Sequence, residues 1–123
     1  MTQLIGKLGA AMLIVLDLQR SVQFYTDTLG CTLHSQNENF AYLDAGDFLL
    51  TLNGNPNAPA PAVTHFFIFR VDDIDRAFDA LKSKGIEFMM PVISFFDDQF
   101  GASFTDPDGH PLTIMGPRID ITT

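Results

Sequence analysis

At 123 residues the chain suits one domain, or two small halves that depend on each other. Apolar residues make up 46 % and charged ones 18 %, a composition that excludes disorder and supplies a core. The net charge of −8 lacks the basic footprint that nucleic acid requires.

Two readings of that acidity stay open. It keeps a small protein soluble, or its field favours cationic over anionic ligands. No apolar run approaches the ~20 residues that span a bilayer, so no membrane partner is expected. The single cysteine, Cys31, rules out an intrachain disulfide and fits a reducing, cytoplasmic compartment.

The N-terminal stretch lacks a basic leader and turns polar at Asp17, so it reads as a first strand, "AAMLIVL", and not as a signal peptide. A helix follows. Leu18, Val22, Tyr25 and Leu29 recur at helical spacing, Asp17 stands at the N-cap position, and Gly30 follows as a left-handed stop. Three further strands are predicted in "CTLHSQ", "NFAYLDA" and "DFLLTLN", parted by Asn37–Asn39 and Gly46. "NGNPNAPAPA" is too rich in Asn and Pro for regular structure and reads as a linker.

The same order then returns. "HFFIFRV" is a strand, and Asp73 caps a helix whose apolar positions are Ile74, Ala77, Phe78 and Leu81, with Gly85 at its end. "IEFMMPVISFF", "FGASFT" and "PLTIM" are three more strand candidates, parted by Asp97-Asp98 and by "DPDG". The organisation is strand–helix–three strands, written twice. A unit this small cannot bury one face of its sheet alone, so the halves must pack together or pair with another copy.

That repeat, with "DLQRSVQFYTDTLG" near the front and "FTDPDGHPLTIM" near the end, resembles the vicinal oxygen chelate superfamily over nearly the whole chain. The superfamily groups glyoxalases, extradiol dioxygenases, fosfomycin-resistance transferases and bleomycin-resistance proteins. The resemblance implies an α+β fold of two βαβββ modules, at 8–53 and 63–116, joined by the linker 54–62 in a single domain. Each module curls a mixed sheet into a cup with its helix on the outer face, and a homodimer completes the cups.

The superfamily's enzymes hold a divalent metal at four positions inside the cup. In this chain those positions fall on Ala10, Thr51, Phe66 and Thr113. None carries an imidazole or carboxylate, the donors such ions need. His65 lies one residue from the third position. In a strand that places it on the opposite face, unless a β-bulge re-aims it.

The expectation is therefore a metal-free, cofactor-free binding protein of the bleomycin-resistance, antibiotic-resistance type. Its ligand pocket would be Ala10, Met12, Leu49, Thr51, His65, Phe66, Ile68, Thr113 and Met115, taking a hydrophobic or aromatic small molecule, cationic ones included. The alternative is a metal-dependent lyase, isomerase or dioxygenase with a shifted site at His65, helped by His34, Glu38 or Asp44. A third reading is a regulatory dimer with a filled cup.

Of the remaining candidates, His110 reads as a turn residue after "DPDG". Asp72, Asp73 and Asp75 suit a helix start. Cys31 and His34 lie at odd spacing on one strand, so they do not form a nucleophile pair.

Overall fold

The computed structural model describes residues 4, 6, 8–61 and 66–119. His65, and with it the question of its bulge, lies outside the described residues. The chain divides into two compact units, Met1–Ala58 and Pro59–Thr123. No helix among the described residues is long and apolar enough to cross a membrane.

In the first unit β1 (Ala10–Val15), β2 (Thr32–Gln36), β3 (Phe40–Asp44) and β4 (Leu49–Gly54) form one sheet in the order β1-β4-β3-β2. β1 runs parallel to β4, and the other neighbours are antiparallel. Alternation along β1 sends Leu13 and Val15 to the buried face and leaves Met12 and Ile14 on the open one. The buried face adds Ala41, Leu43, Leu50 and Leu52, and the helix covers it with Val22 and Tyr25.

That helix starts as predicted. The Asp17 side chain accepts from the Arg20 N–H at 3.2 Å. The helix is regular only over α1 (Leu18–Gln23), and Phe24–Thr28 widens into a π-helical turn. The Leu29 N–H donates to the Phe24 carbonyl, and the Thr26 hydroxyl bonds back to the Val22 carbonyl at 2.7 Å. Such back-bonding and π-bulging bend a helix. Here the turn brings Tyr25 to full burial.

The second unit repeats the plan. β5 (Phe67–Arg70), β6 (Ile93–Phe96), β7 (Gln99–Thr105) and β8 (Pro111–Pro117) give the order β5-β8-β7-β6. β5 is parallel to β8, and the rest are antiparallel. α2 (Ile74–Ser83) is capped by Asp73 and buries Ile74 beside Phe104, Leu112 and Ile114. Both units are thus βαβββ modules of an α+β fold.

One strand prediction fails in part. Of "IEFMMPVISFF" only Ile93–Phe96 is a strand. Pro91 has no N–H to give a ladder, and residue Met89 makes a single backbone bond, to the Ser103 carbonyl. Phe88 turns under the helix instead, 4.3 Å from the Phe78 ring and 5.4 Å from that of Phe104.

Candidate functional site

The register of the two sheets assigns faces to the residues singled out from the sequence. In the first unit Met12 pairs with Thr51, and Thr51 with Tyr42; Ala10 pairs with Leu49. These side chains share the face opposite α1. In the second unit Ile68 pairs with Thr113, and Thr113 with Ser103; Met115 pairs with Arg70 and Gly101. They share the face opposite α2. Phe66 precedes β5 and is exposed.

Neither open face presents an imidazole at the four positions the resemblance picks out. Ala10 and Phe66 have no donor atom. Thr51 and Thr113 are buried hydroxyls, and Thr113 is spoken for by Ser103 at 2.8 Å. A divalent cation does not fit these four corners.

Donors are gathered instead in the turn between β7 and β8. Asp106, Asp108 and His110 bring their ligand atoms within 4.8 Å of one another. The chain builds this turn around the Asp106 carboxylate. One oxygen accepts from the Asp108 and His110 backbone N–H groups at 3.0 and 2.8 Å. The other lies 2.7 Å from His110 Nδ1. Asp106 and His110 are buried and Asp108 is half-buried. Gly109, at φ +96°, takes the left-handed conformation that closes the turn.

Two carboxylates and an imidazole match the charge and donor types that manganese-, iron- or zinc-class ions take, so the residues present fit a divalent metal here. The fit has a condition. Nδ1 is already engaged by Asp106, so the imidazole can ligate through Nε2, with Asp106 holding the ring as carboxylates do for metal-bound histidines.

The expectation of a metal-free, cofactor-free protein is corrected on this point. It tested only the four corners of the cup and read His110 as a turn residue. The turn role is real, but the Asp-x-Asp-x-His spacing was the signal that the same turn gathers three ligand types. The other ligands considered are not gathered with them. His34 is the extra residue at a register shift in β2 and is exposed, as is Glu38 in the following bend; Asp44 ends β3, also exposed.

Cys31 is half-buried, and burial first, then the Asp44 charge, push its thiol above the ordinary range. It is therefore not a ready thiolate, in keeping with its dismissal as a nucleophile.

Comparison with known proteins adds to this geometry. The family model described as Glyoxalase/Bleomycin resistance protein/Dioxygenase superfamily matches residues 7–114. A protein of Staphylococcus epidermidis named metallothiol transferase FosB is 30 % identical over 105 residues, 81 % of this chain and 74 % of the relative. The glutathione transferase FosA of Serratia marcescens is 29 % identical over 119 residues, covering 90 % and 81 % of the two chains. A crystal structure of a glyoxalase/bleomycin resistance protein/dioxygenase from Nocardioides superposes with a TM-score of 0.78 at 25 % identity, covering 95 % of this chain and 87 % of the other. Transferases, one of them named for a metal, are thus among the relatives; this, with the donor set, is what overturns the metal-free binder.

Proposed function

The chain belongs to the Glyoxalase/Bleomycin resistance protein/Dioxygenase superfamily, and from that premise we propose that it is a metal-dependent enzyme that transfers a thiol onto a small electrophilic molecule. The observation that carries this reading is the donor set Asp106, Asp108 and His110, in a chain whose relatives are named metallothiol and glutathione transferases. Asp108 and His110, the latter through Nε2, would hold the ion, with Asp106 fixing the imidazole from its Nδ1 side. When bound, it supplies a Lewis acid that polarises a substrate oxygen and stabilises the charge that develops there.

The chain's own side chains support the rest. With the Cys31 thiol pushed up by burial, the thiol of the reaction is a co-substrate and not a residue of the protein. Met12, Ile14, Phe66 and Ile68 are exposed apolar side chains, more than a monomer ordinarily leaves to water. A small substrate lying over Phe66, Ile68, Thr113 and Met115 of the second unit accounts for two of these, and a second copy of the chain covering the open face of the first unit accounts for the others. The covering excludes water, which would compete with the thiol.

Metal analysis of the purified protein, and conjugation of glutathione to a panel of small electrophiles, test the reading. About one divalent ion per chain is expected, with conjugation abolished by EDTA and restored by a divalent salt. Asp108→Asn and His110→Gln should lose ion and activity together. Conjugation that persists through chelation, or protein that takes up no ion, would sink it.

A further inference from the structure

Arg70 is the only charged residue in the four strands β5 to β8. It is exposed and pairs in register with Met115, on the face that carries Ile68, Thr113 and Ser103. Val71 packs its backbone and side chain against Gly116 on the other face, which fixes Arg70 to the open one. Two of the other described cations have partners: Arg118 pairs with Asp75 and lies over Phe100, and Lys82 lies over Phe78. Arg70 has no such partner among the described residues. In a chain of net charge −8, an uncompensated guanidinium on a face otherwise apolar or hydroxyl-bearing is a local reversal of the overall field.

The same face carries a second polar feature. Ser103 and Thr113 share one hydrogen bond, 2.8 Å long. Two hydroxyls joined by one bond leave one O–H still to donate. Thr113 is buried and Ser103 is partly open. If Thr113 donates to Ser103, the Ser103 O–H is the one left facing outward. Between Arg70 and Ser103 lie Met115 and Thr113 of the central strand, with Ile68 alongside. Two steps of ~4.8 Å across the sheet and two residues of ~3.3 Å along it part the Arg70 and Ser103 backbones by roughly 12 Å. A small ring with a charged group at one end and an oxygen at the other spans what the arginine side chain leaves of that distance.

We propose that the open face of the second sheet is a binding site for a small organic acid, with its anionic group on Arg70, its apolar body over Ile68 and Met115, and an acceptor oxygen at its far end on Ser103. The site deepens the reading above by assigning the substrate's charge, but it uses no metal, so the two can fail separately. It also replaces the cationic ligand that the overall acidity suggested, because a neighbouring guanidinium outweighs distant, screened carboxylates.

The full chain, titrated in EDTA with 4-hydroxybenzoate, benzoate and 4-hydroxybenzamide and followed by two-dimensional NMR, tests this. The order expected is 4-hydroxybenzoate tighter than benzoate, with the neutral amide weakest. Shifts should centre on the Ile68, Arg70, Ser103 and Met115 amides. Arg70→Gln should weaken both acids about tenfold, the scale of one charge-assisted hydrogen bond. Arg76→Gln, on the exposed helix, should change nothing. Ser103→Ala should bring 4-hydroxybenzoate down to the level of benzoate and leave benzoate unaltered. An Arg70→Gln chain that binds the acids as tightly as the parent, an amide that matches the acid, or no binding at all overturns the proposal. Loss of both acids equally on Ser103→Ala would move the acceptor contact elsewhere and overturn that part. Failure of thiol conjugation with intact acid binding would discard the enzyme reading and keep this one.

Discussion

The two units were built to one plan and have been put to different uses. β1 pairs with β4 as β5 pairs with β8, and Met12 opposite Thr51 has its counterpart in Ile68 opposite Thr113. Asp17 and Asp73 cap the two helices by the same bond, 3.2 Å to the third N–H. Gly30 and Gly85 end them in the same left-handed conformation. The units part company in the turn between the last two strands. In the first unit it is short and plain: the Ala45 N–H bonds the Phe48 carbonyl, and Gly46 makes the reversal. In the second, the same place holds Asp106, Asp108 and His110 around a buried carboxylate. A repeated scaffold tolerates this because a turn touches the sheet only at its ends, so its chemistry can change without re-registering a strand.

The comparison is broken most severely at Asp106. Asp106→Ala strips the acceptor from two backbone N–H groups and one imidazole in a buried turn, and should cost about 3 kcal/mol in urea unfolding. Asp47→Ala, in the exposed turn of the first unit, should cost less than about 0.5 kcal/mol. If both variants unfold alike, the second turn is not the stiffer of the two.

A second contrast is steric. A Cβ on Gly116 would sit 2.2 Å from the Val71 carbonyl oxygen, whereas on Gly54 it would meet the Leu18 Cβ at 3.0 Å. Backbone cannot yield as a side chain can. Gly116→Ala should therefore destabilise by about 2 kcal/mol or more, and Gly54→Ala by about 1 kcal/mol. Calorimetric melting of the pair checks the order.

The caps should sharpen the likeness instead. Asp17→Ala and Asp73→Ala should each cost about 1 kcal/mol, and nearly the same amount as each other. A large difference would show that the π-helical turn after α1 has altered how its first turn is held.

The smallest effect concerns Cys31. Burial, and after it the Asp44 carboxylate, disfavour the thiolate. Its folded pKa is thus raised above the unfolded one. The stability this gives is complete below the unfolded pKa and is lost as pH rises beyond it. Alkylation by iodoacetamide should stay slow at neutral pH and accelerate at a higher pH than in the unfolded chain. Asp44→Asn should bring that rise back only partly, because burial is the larger cause.

Much of this was legible along the chain. The helix starts at Asp17 and Asp73, their glycine stops, and a strand at every predicted place followed from spacings local to a few residues. The π-helical turn at Phe24–Thr28 was not legible, since Leu18, Val22, Tyr25 and Leu29 look like one regular stripe until the packing of Tyr25 is known. Nor was the late start of the strand after Gly85, which begins only at Ile93, with Phe88 before it packed on the Phe78 and Phe104 rings.

By itself, then, the sequence determined the repeat, the capped helices and the absence of metal donors at Ala10, Thr51, Phe66 and Thr113, because periodicity and residue chemistry are read one position at a time. Only the tertiary structure decided that Asp106 faces His110, that Ser103 bonds Thr113 and that Arg70 shares the face of those two hydroxyls with no side-chain partner among the described residues. Those facts depend on which strand lies beside which and in what register, and hydrogen bonding between segments distant in the chain is set by the fold as a whole.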